Sequence, residues 1–162
     1  MVTSKGDTKR NRRRLGTRGR IKAISISKEK GTRKANVPEA QLRADFGIIG
    51  DAHAANWHRQ VSLLAVESID KMAAKGAKVS PGDFAENITT EGINLLKLLN
   101  GSKLKLGKSV ELEITQFGKK CHSRCEIFEQ VGDCIMPREG IFAKVTKPGS
   151  IRVGDVIEVI ND

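Results

Sequence analysis

The amino-acid sequence predicts a mostly β protein, a β-barrel with one or two short helices. From Lys103 onward, apolar and polar residues alternate on either side of a Gly107-Lys108 turn, and a period of two is typical of β-strands. Short apolar segments recur at a spacing of about 8–12 residues with turns between them, which is typical of an all-β sandwich or barrel. One segment has the spacing of a clear helix.

The first half of the chain contains two predicted strands and the main helix. Ile21–Ser27 alternates apolar and small polar residues, which predicts a strand. Gln41–Ile49 is the second predicted strand, and a Gly-Asp turn closes it. His58–Gly76 begins as a strand and continues as a helix near Ala65–Lys75, because its apolar residues take helical spacing and a glycine ends the segment.

The sequence of the second half of the chain predicts further strands. Ile88–Thr90 and Leu95–Leu99 are short apolar pieces joined by Glu91-Gly92. After a cysteine-containing segment, Ile141–Val145 and Val156–Ile160 are predicted strands, with Pro-Gly and Gly-Asp turns between them.

The positive charge of the chain is concentrated at its N-terminus. The formal net charge is +10, but residues 1–22 hold nine Lys or Arg and one Asp, whereas the other 140 residues hold twenty basic and eighteen acidic side chains. Such a run is flexible by composition. We therefore divide the chain into a basic flexible tail, residues 1–20, and one folded domain, residues 21–162. The tail is either a solvated extension or an element that contacts nucleic acid or an acidic membrane surface.

Length and cysteine content define the broad class of protein. A chain of 162 residues suffices for one domain with a hydrophobic core. No apolar run approaches the ~18 residues that a membrane helix needs. Three cysteines, an odd number, do not resemble a disulfide scaffold and favour a reducing compartment. We therefore expect a cytoplasmic protein that does not enter a membrane.

The residues that suggest chemistry lie together between Lys119 and Val145. This segment holds all three cysteines, one histidine and two arginines: Cys121, Cys125, Cys134, His122, Arg124 and Arg138. A thiol near fixed positive charge is a candidate thiolate, because the charge stabilises its deprotonated form. Cys125, next to Arg124, is therefore the candidate catalytic thiol, with Cys121 as a second thiol. Burial is the simpler explanation of Cys134, which precedes Ile135-Met136.

The same side chains offer a second interpretation, a zinc site. Cys121, His122, Cys125 and Cys134 are all ligand types that zinc accepts. However, neighbouring residues of a strand point to opposite faces, so Cys121 and His122 rarely both reach one metal. The cysteine spacing also lacks the paired knuckles of structural zinc sites. The zinc interpretation is therefore the weaker one.

Six segments resemble one protein family, the MOSC domain, which is the C-terminal domain of molybdenum-cofactor sulfurases and also exists as small stand-alone proteins. The resemblance covers about residues 21–160. The segments are GIIGDAHA (47–54), HRQVSLLAVESI (58–69), PGDFAENITTEGI (81–93), ITQFGKKCHSRC (114–125), CIMPREGIFAKV (134–145) and IRVGDVIEV (151–159).

The resemblance implies a β-barrel of the MOSC type and a link to the molybdenum cofactor, a molybdopterin, and to sulfur handling. Family members are associated with binding that cofactor or with carrying sulfur on a cysteine as a persulfide. The family cysteine matches Cys125, with Cys121 as the alternative, and Cys125 is also the expected molybdenum ligand. The sequence has no match to the pyridoxal-phosphate domain of sulfurases. The resemblance therefore implies a separate desulfurase as sulfur donor, carrying pyridoxal phosphate, and a molybdoenzyme as acceptor.

Molybdopterin carries a phosphate, which binds backbone N–H groups and fixed positive charge. The loop at 30–34 has that composition, with Lys30, Arg33 and Lys34 as candidate contacts, although a solvated turn explains it equally well. Arg59 and Arg138 are candidates for clamping the phosphate or the pterin, because a guanidinium binds oxyanions in a bidentate way.

Three polar side chains complete the predicted cofactor site: His53, Asn87 and His122. Asp51 and His53 could orient a ligand or bind a metal, but a Gly-Asp turn with a surface histidine explains them as simply. Asn87, with Asp83 and Glu86, could hydrogen-bond the edge of a pterin or cap the segment that follows.

Three functions follow as hypotheses. The first is a sulfur carrier or transferase acting on the molybdenum cofactor through a persulfide on Cys125. The second is a cofactor-binding module without chemistry. The third is a molybdenum-dependent reductase of N-hydroxylated compounds, in which a cysteine thiolate coordinates molybdenum as a soft ligand. We expect a small-molecule ligand, and contact with nucleic acid only through the basic tail.

Overall fold

The computed structural model describes residues 16–30, 32–118 and 139–160. The described helices are the α-helix α1 (Val66–Ala74) and a 3-10 helix (Leu95–Lys97). The described strands are β1 (Arg18–Ile26), β2 (Ala35–Val37), β3 (Glu39–Arg43), β4 (Gly47–Ile48), β5 (Val61–Ala65), β6 (Ile88–Glu91), β7 (Lys103–Leu106), β8 (Val110–Phe117), β9 (Ile141–Lys147), β10 (Gly149–Arg152) and β11 (Val156–Ile160). The prediction of a mostly β protein is confirmed.

Seven strands close into a barrel. Their order around the barrel is β1, β11, β7, β8, β9, β5, β6 and back to β1. Closure depends on β1, which pairs along its first part with β11, Arg18 opposite Glu158, and further along with β6, Ile24 opposite Ile88. Alternate residues of these strands point inward and form one buried apolar cluster, which confirms the predicted barrel.

The helix α1 makes a parallel strand pair possible. β5 and β6 are parallel, and parallel neighbours need a crossover connection between them. α1 supplies it and buries Ile69 and Met72 in a second apolar cluster with Leu64, Phe84 and Phe142. β5 is therefore buried along its whole length. The helix predicted near Ala65–Lys75 is confirmed.

The predicted strand Gln41–Ile49 is wrong as a single strand. The chain turns between β3 and β4, and Arg43 pairs with Gly47 across the turn. Asp45 has a φ of 55° and Gly47 a φ of 123°, backbone conformations that break an extended strand. β10 pairs with the other edge of β3 and completes a small three-stranded sheet, which packs on the core of the barrel.

The folded part of the chain begins earlier than predicted. β1 starts at Arg18 and not at Ile21, and Gly16 is bridged to Ile93. Residues 18–20, assigned to the tail from the sequence, therefore belong to the barrel. The flexible character of residues 1–15 stays a prediction, because they lie outside the described residues.

No helix among the described residues is both long and apolar enough to cross a membrane.

A buried carboxylate organises the loop before β6. Glu86 is fully buried and accepts hydrogen bonds from the N–H of Gly82 at 2.7 Å, the N–H of Phe84 at 3.2 Å and the hydroxyl of Thr89 at 2.9 Å. Burial raises the pKa of Glu86 above its ordinary value of 4.5, although these hydrogen bonds oppose the shift.

The raised pKa of Glu86 predicts a pH-dependent stability. A carboxyl whose pKa is higher in the folded state contributes stability that is complete below its unfolded pKa and is lost as the pH rises through the folded pKa. We expect the free energy of unfolding of the wild type, relative to Glu86→Gln, to fall as the pH rises from the ordinary carboxyl range through the raised folded pKa of Glu86. Urea unfolding at a series of pH values measures it. Exposed Glu29 provides the control, Glu29→Gln, which should show no such trend. A flat or rising difference for Glu86→Gln would contradict the prediction.

Candidate anion-binding site

Two loops meet beside the start of β5. One follows β1 and spans residues 27–34, and the other joins β4 to β5 over residues 49–60. The N–H of Ala52 donates to the carbonyl of Ser27 at 2.8 Å, which holds the loops together. The loop before β6 supports the first of them, because the N–H of Lys34 donates to the carbonyl of Gly82 at 2.9 Å. Gly82, with a φ of 96°, permits this contact, since an added Cβ would lie 2.4 Å from the carbonyl oxygen of Lys34.

A buried ion pair joins the two loops. The Lys34 Nζ lies 2.7 Å from Asp51 Oδ1, and neither side chain is exposed to solvent (0% for both). Asp51 Oδ1 also accepts from the N–H of Ser27 at 3.1 Å, and Asp51 Oδ2 accepts from the N–H of His53 at 3.0 Å. A buried charge needs such compensation, because water no longer solvates it.

These partners keep Asp51 ionised. Burial alone acts to raise the pKa of Asp51, but the hydrogen bond and charge of Lys34, with the N–H groups of Ser27 and His53, hold the pKa below its ordinary value of 3.8. The pair is therefore charged at neutral pH and fixes the geometry of both loops.

Two further cations contact the ring of Trp57, which lies in the same loop as Asp51. Trp57 Nε1 donates to the carbonyl of His53 at 2.8 Å. The Lys30 Nζ lies 4.9 Å and the Arg59 guanidinium carbon 4.7 Å from the centroid of the Trp57 ring, within the range of cation–π contacts. The His53 ring is 3.1 Å from the Lys34 Nζ. One lysine and one arginine thus lie over the indole, whose N–H is bonded to the main chain of His53.

Arg59 carries a donor that no described residue uses. Its Nε is buried and has no hydrogen-bond partner within residues 16–30, 32–118 and 139–160, and its guanidinium carbon also lies 5.7 Å from the Phe142 ring. An unpaired buried N–H is costly, and guanidinium stays protonated at all relevant pH values. An anion with acceptor oxygens is the ligand type that would satisfy it. Phe142 belongs to β9, the strand that follows the cysteine-containing segment.

The structure brings four of the predicted cofactor contacts together: Lys30, Lys34, His53 and Arg59. It places two others elsewhere. Arg33 is directed to Asp83, at 3.9 Å. Asn87 is buried, and its amide joins two strands, accepting from the N–H of Ser62 at 3.0 Å and donating to the carbonyl of Ser25 at 3.1 Å. A direct ligand contact at Asn87 finds no support in this geometry.

The remaining predicted site residues lie outside the described residues: Cys121, Cys125, His122 and Arg138, with Cys134. Glu139, the neighbour of Arg138 in sequence, is described. Its carboxylate accepts from the Ser68 hydroxyl at 2.5 Å and from Lys71 at 2.9 Å, which connects it to α1. Within the described part of the chain, no group of three or more His, Cys, Asp and Glu side chains is placed to hold a metal ion.

Sequence reasoning missed Trp57 and underrated Asp51. Trp57 is the single tryptophan of the chain, and it stands in the segment HAANWHR among histidine and arginine residues. An aromatic residue among basic ones in a loop is a recognisable pattern for anion binding. The pairing of Asp51 with Lys34, seventeen positions earlier, had no comparable pattern.

Comparison with known proteins gives a family and a fold. The model of the MOSC domain matches residues 50–158, more than half of the chain. The YuaD protein from Bacillus subtilis is similar in structure, with a TM-score of 0.73 and 20% identity over 88% of this chain and 95% of that chain. YiiM from Escherichia coli has a TM-score of 0.63 and 18% identity over 88% and 70%. YiiM from Geobacillus stearothermophilus has a TM-score of 0.67 and 16% identity over 88% and 75%. No curated protein sequence matches the chain.

The buried ion pair predicts that Asp51→Asn, a change of almost no volume, strongly lowers the stability of the fold. Asp51→Asn leaves Lys34 buried without a counter-charge, so we expect a loss of about 3–5 kcal/mol in the free energy of unfolding at neutral pH. Because the folded pKa of Asp51 is depressed, its contribution is present above the unfolded pKa and is lost as the pH falls through the folded pKa. The difference in the free energy of unfolding between the wild type and Asp51→Asn should therefore shrink in strong acid. Chemical denaturation at several pH values measures this difference.

The control for Asp51→Asn is an ion pair on the surface. Glu39 lies 3.1 Å from Arg152, and the two side chains are 59% and 75% exposed, so Glu39→Gln should change the stability little. Equal losses for Asp51→Asn and Glu39→Gln would contradict the prediction, because a buried lysine without its counter-charge should cost more than an exposed arginine without one.

Proposed function

The chain belongs to the MOSC domain family, and we propose on that premise that it binds the molybdenum cofactor beside Trp57 and transfers sulfur through a persulfide on Cys125. The family is associated with molybdenum-cofactor sulfurase-like proteins. The observation that carries the binding proposal is the buried Nε of Arg59, which no residue in the described part of the chain pairs, beside the Trp57 ring.

The described residues fit the anionic part of such a cofactor. Molybdopterin is a phosphorylated pterin, and phosphate oxygens are strong acceptors for guanidinium and ammonium donors. Arg59 and Lys30 would hold the phosphate, and the Trp57 ring keeps both cations in place. Lys34 is buried in the same pair of loops, paired with Asp51. When bound, the cofactor supplies molybdenum as the centre of the chemistry.

Cys125 carries the sulfur in this proposal. Arg124 is its neighbour in sequence, and fixed positive charge favours the thiolate, which is the reactive form. The thiolate attacks the terminal sulfur of a persulfide on a separate, pyridoxal-phosphate-dependent desulfurase. One S–S bond forms on Cys125 while the donor S–S bond breaks, and the donor leaves as a thiolate. A molybdoenzyme is the proposed final acceptor of the sulfur.

The binding part is tested by the pterin and molybdenum content of protein purified from a molybdenum-replete host. Because a hydrogen bond to a charged group contributes about 1.5–3 kcal/mol, Arg59→Ala should retain about tenfold less pterin than the wild type. Arg43→Ala is the matched control, since Arg43 also lies over an aromatic ring, 4.2 Å from the centroid of Phe46, but outside the site. Equal retention by the two variants, or a wild type without pterin, would contradict the proposal.

The sulfur-carrying part is tested with labelled sulfur supplied by a separate desulfurase. Cys125→Ser should abolish the persulfide label, read by mass spectrometry of the intact protein, while the barrel stays folded. Cys134→Ser should keep the label and cost stability instead, because burial is the expected role of that thiol. Label on Cys121 in the wild type would overturn the assignment of Cys125. Reduction of N-hydroxylated substrates by cofactor-loaded protein without any persulfide would replace transfer with reductase chemistry.

A further inference from the structure

We propose that Thr115 is a positioning residue of the anion-binding site. Its hydroxyl fixes the peptide that joins His58 to Arg59, and it thereby holds the buried Nε of Arg59 where the phosphate is proposed to bind. This role rests on the proposed binding of the molybdenum cofactor at Arg59. Thr115 acts through Arg59 and contacts no ligand itself.

Thr115 is the extra residue of a β-bulge in β8. Ile114 pairs with Ala143 of β9, and Gln116 pairs with the adjacent Phe142. Thr115 therefore stands between two consecutive pairs and has no opposite residue of its own in β9. A bulge bends its strand and redirects a side chain, and bulges are frequent next to active sites. Here the redirected group is a hydroxyl.

The Thr115 hydroxyl meets two main-chain carbonyls. It donates to the carbonyl of His58, and it lies 3.2 Å from the carbonyl oxygen of Phe142. Because β9 lies between β8 and β5 in the barrel, this side chain links β8, across β9, to the loop that leads into β5. The carbonyl of His58 belongs to the same planar peptide unit as the N–H of Arg59. The hydrogen bond therefore sets the orientation of the main chain where Arg59 begins.

The residue that follows Arg59 is anchored as well. Gln60 is buried, and its Oε1 accepts from the N–H of Val145 at 2.9 Å. The two neighbours of Arg59 are thus tied to the paired strands β8 and β9, His58 through Thr115 and Gln60 through Val145. The rotamers open to a side chain depend on its backbone φ and ψ. Anchoring both neighbours therefore limits the directions that the Arg59 side chain can take.

Both contacts of the Thr115 hydroxyl bear on Arg59. Phe142, whose carbonyl lies beside Thr115, also places its ring 5.7 Å from the Arg59 guanidinium carbon. The Trp57 ring lies 4.7 Å from the same carbon. The two rings hold the guanidinium charge, while its buried Nε has no partner among the described residues. A donor that is already held in place binds an acceptor without first losing side-chain freedom, which is the advantage of a preorganised site.

The positioning role is tested on the protein without cofactor by NMR of the arginine Nε–H groups, with Arg59→Lys to assign the Arg59 signal. We expect slow exchange with water at this buried group. Thr115→Val should speed the exchange about twofold to tenfold, as expected for the loss of one hydrogen bond, and Thr115→Ser, which keeps a hydroxyl, should not. Thr146→Val is the matched control and should keep the wild-type rate. Thr146 also donates to a carbonyl across β8 and β9, that of Glu111 at 3.1 Å, at the opposite end of the two strands.

Three results would overturn the positioning role. The first is a wild-type exchange rate in Thr115→Val, and the second is an equal acceleration in Thr146→Val. The third is an Arg59 Nε–H that exchanges in the wild type as fast as that of Arg152, whose side chain is 75% exposed. Thr115→Ala removes the same hydroxyl with less bulk and takes the place of Thr115→Val if that variant does not fold.

The role in binding is tested by the pterin content of the same variants after purification from a molybdenum-replete host. Thr115→Val should retain about twofold to tenfold less pterin than the wild type, whereas Thr115→Ser and Thr146→Val should retain the wild-type amount. Equal retention by Thr115→Val and the wild type would overturn the role in binding. A wild type without pterin but with the expected exchange rates would overturn the proposed function and the binding role, and leave only the positioning of Arg59 by Thr115 standing.

Discussion

The ion pair between Lys34 and Asp51 is the interaction on which the arrangement of the site depends. It joins two loops that are distant in sequence, and it is shielded from water on all sides. Such a pair gives little net stability when both charges are present, yet removing one of them leaves an uncompensated buried charge. Its main effect is therefore to select one arrangement of the loops, in which Lys34 lies against the His53 ring and Arg59 lies over the Trp57 ring.

Local pattern predicted the barrel because its strands follow the simplest rule, alternation of inward and outward residues. The strand and the helix at residues 61–74 were predicted as well, because the spacing of apolar residues changes from that of a strand to that of a helix within a few residues. The failures were of another kind. The turn at Asp45 is a matter of backbone conformation, not of hydrophobicity. The start of β1 at Arg18 depends on its partner β11, at the far end of the chain, and basic composition concealed that pairing.

The site was harder to predict than the fold, for a physical reason. Charge could be read from the sequence, so Lys30, Arg59 and His53 were recognised as candidates. What each charge contacts depends on long-range packing. Lys34 and Arg33 are adjacent and both basic, but Lys34 is buried against Asp51 while Arg33 lies at the surface near Asp83. Likewise Asn87 has the chemistry of a ligand contact and serves instead to connect β1 with β5.

The chain contains one tryptophan and no tyrosine. The indole that emits nearly all of its ultraviolet fluorescence is therefore Trp57, which contacts Lys30 and Arg59 and is hydrogen-bonded to the main chain of His53. Emission from a single indole depends on the charges and the water around it, so the natural protein already contains an optical probe of this one loop. Occupancy of the loop can be followed in solution by the intensity and colour of that emission, without any added label.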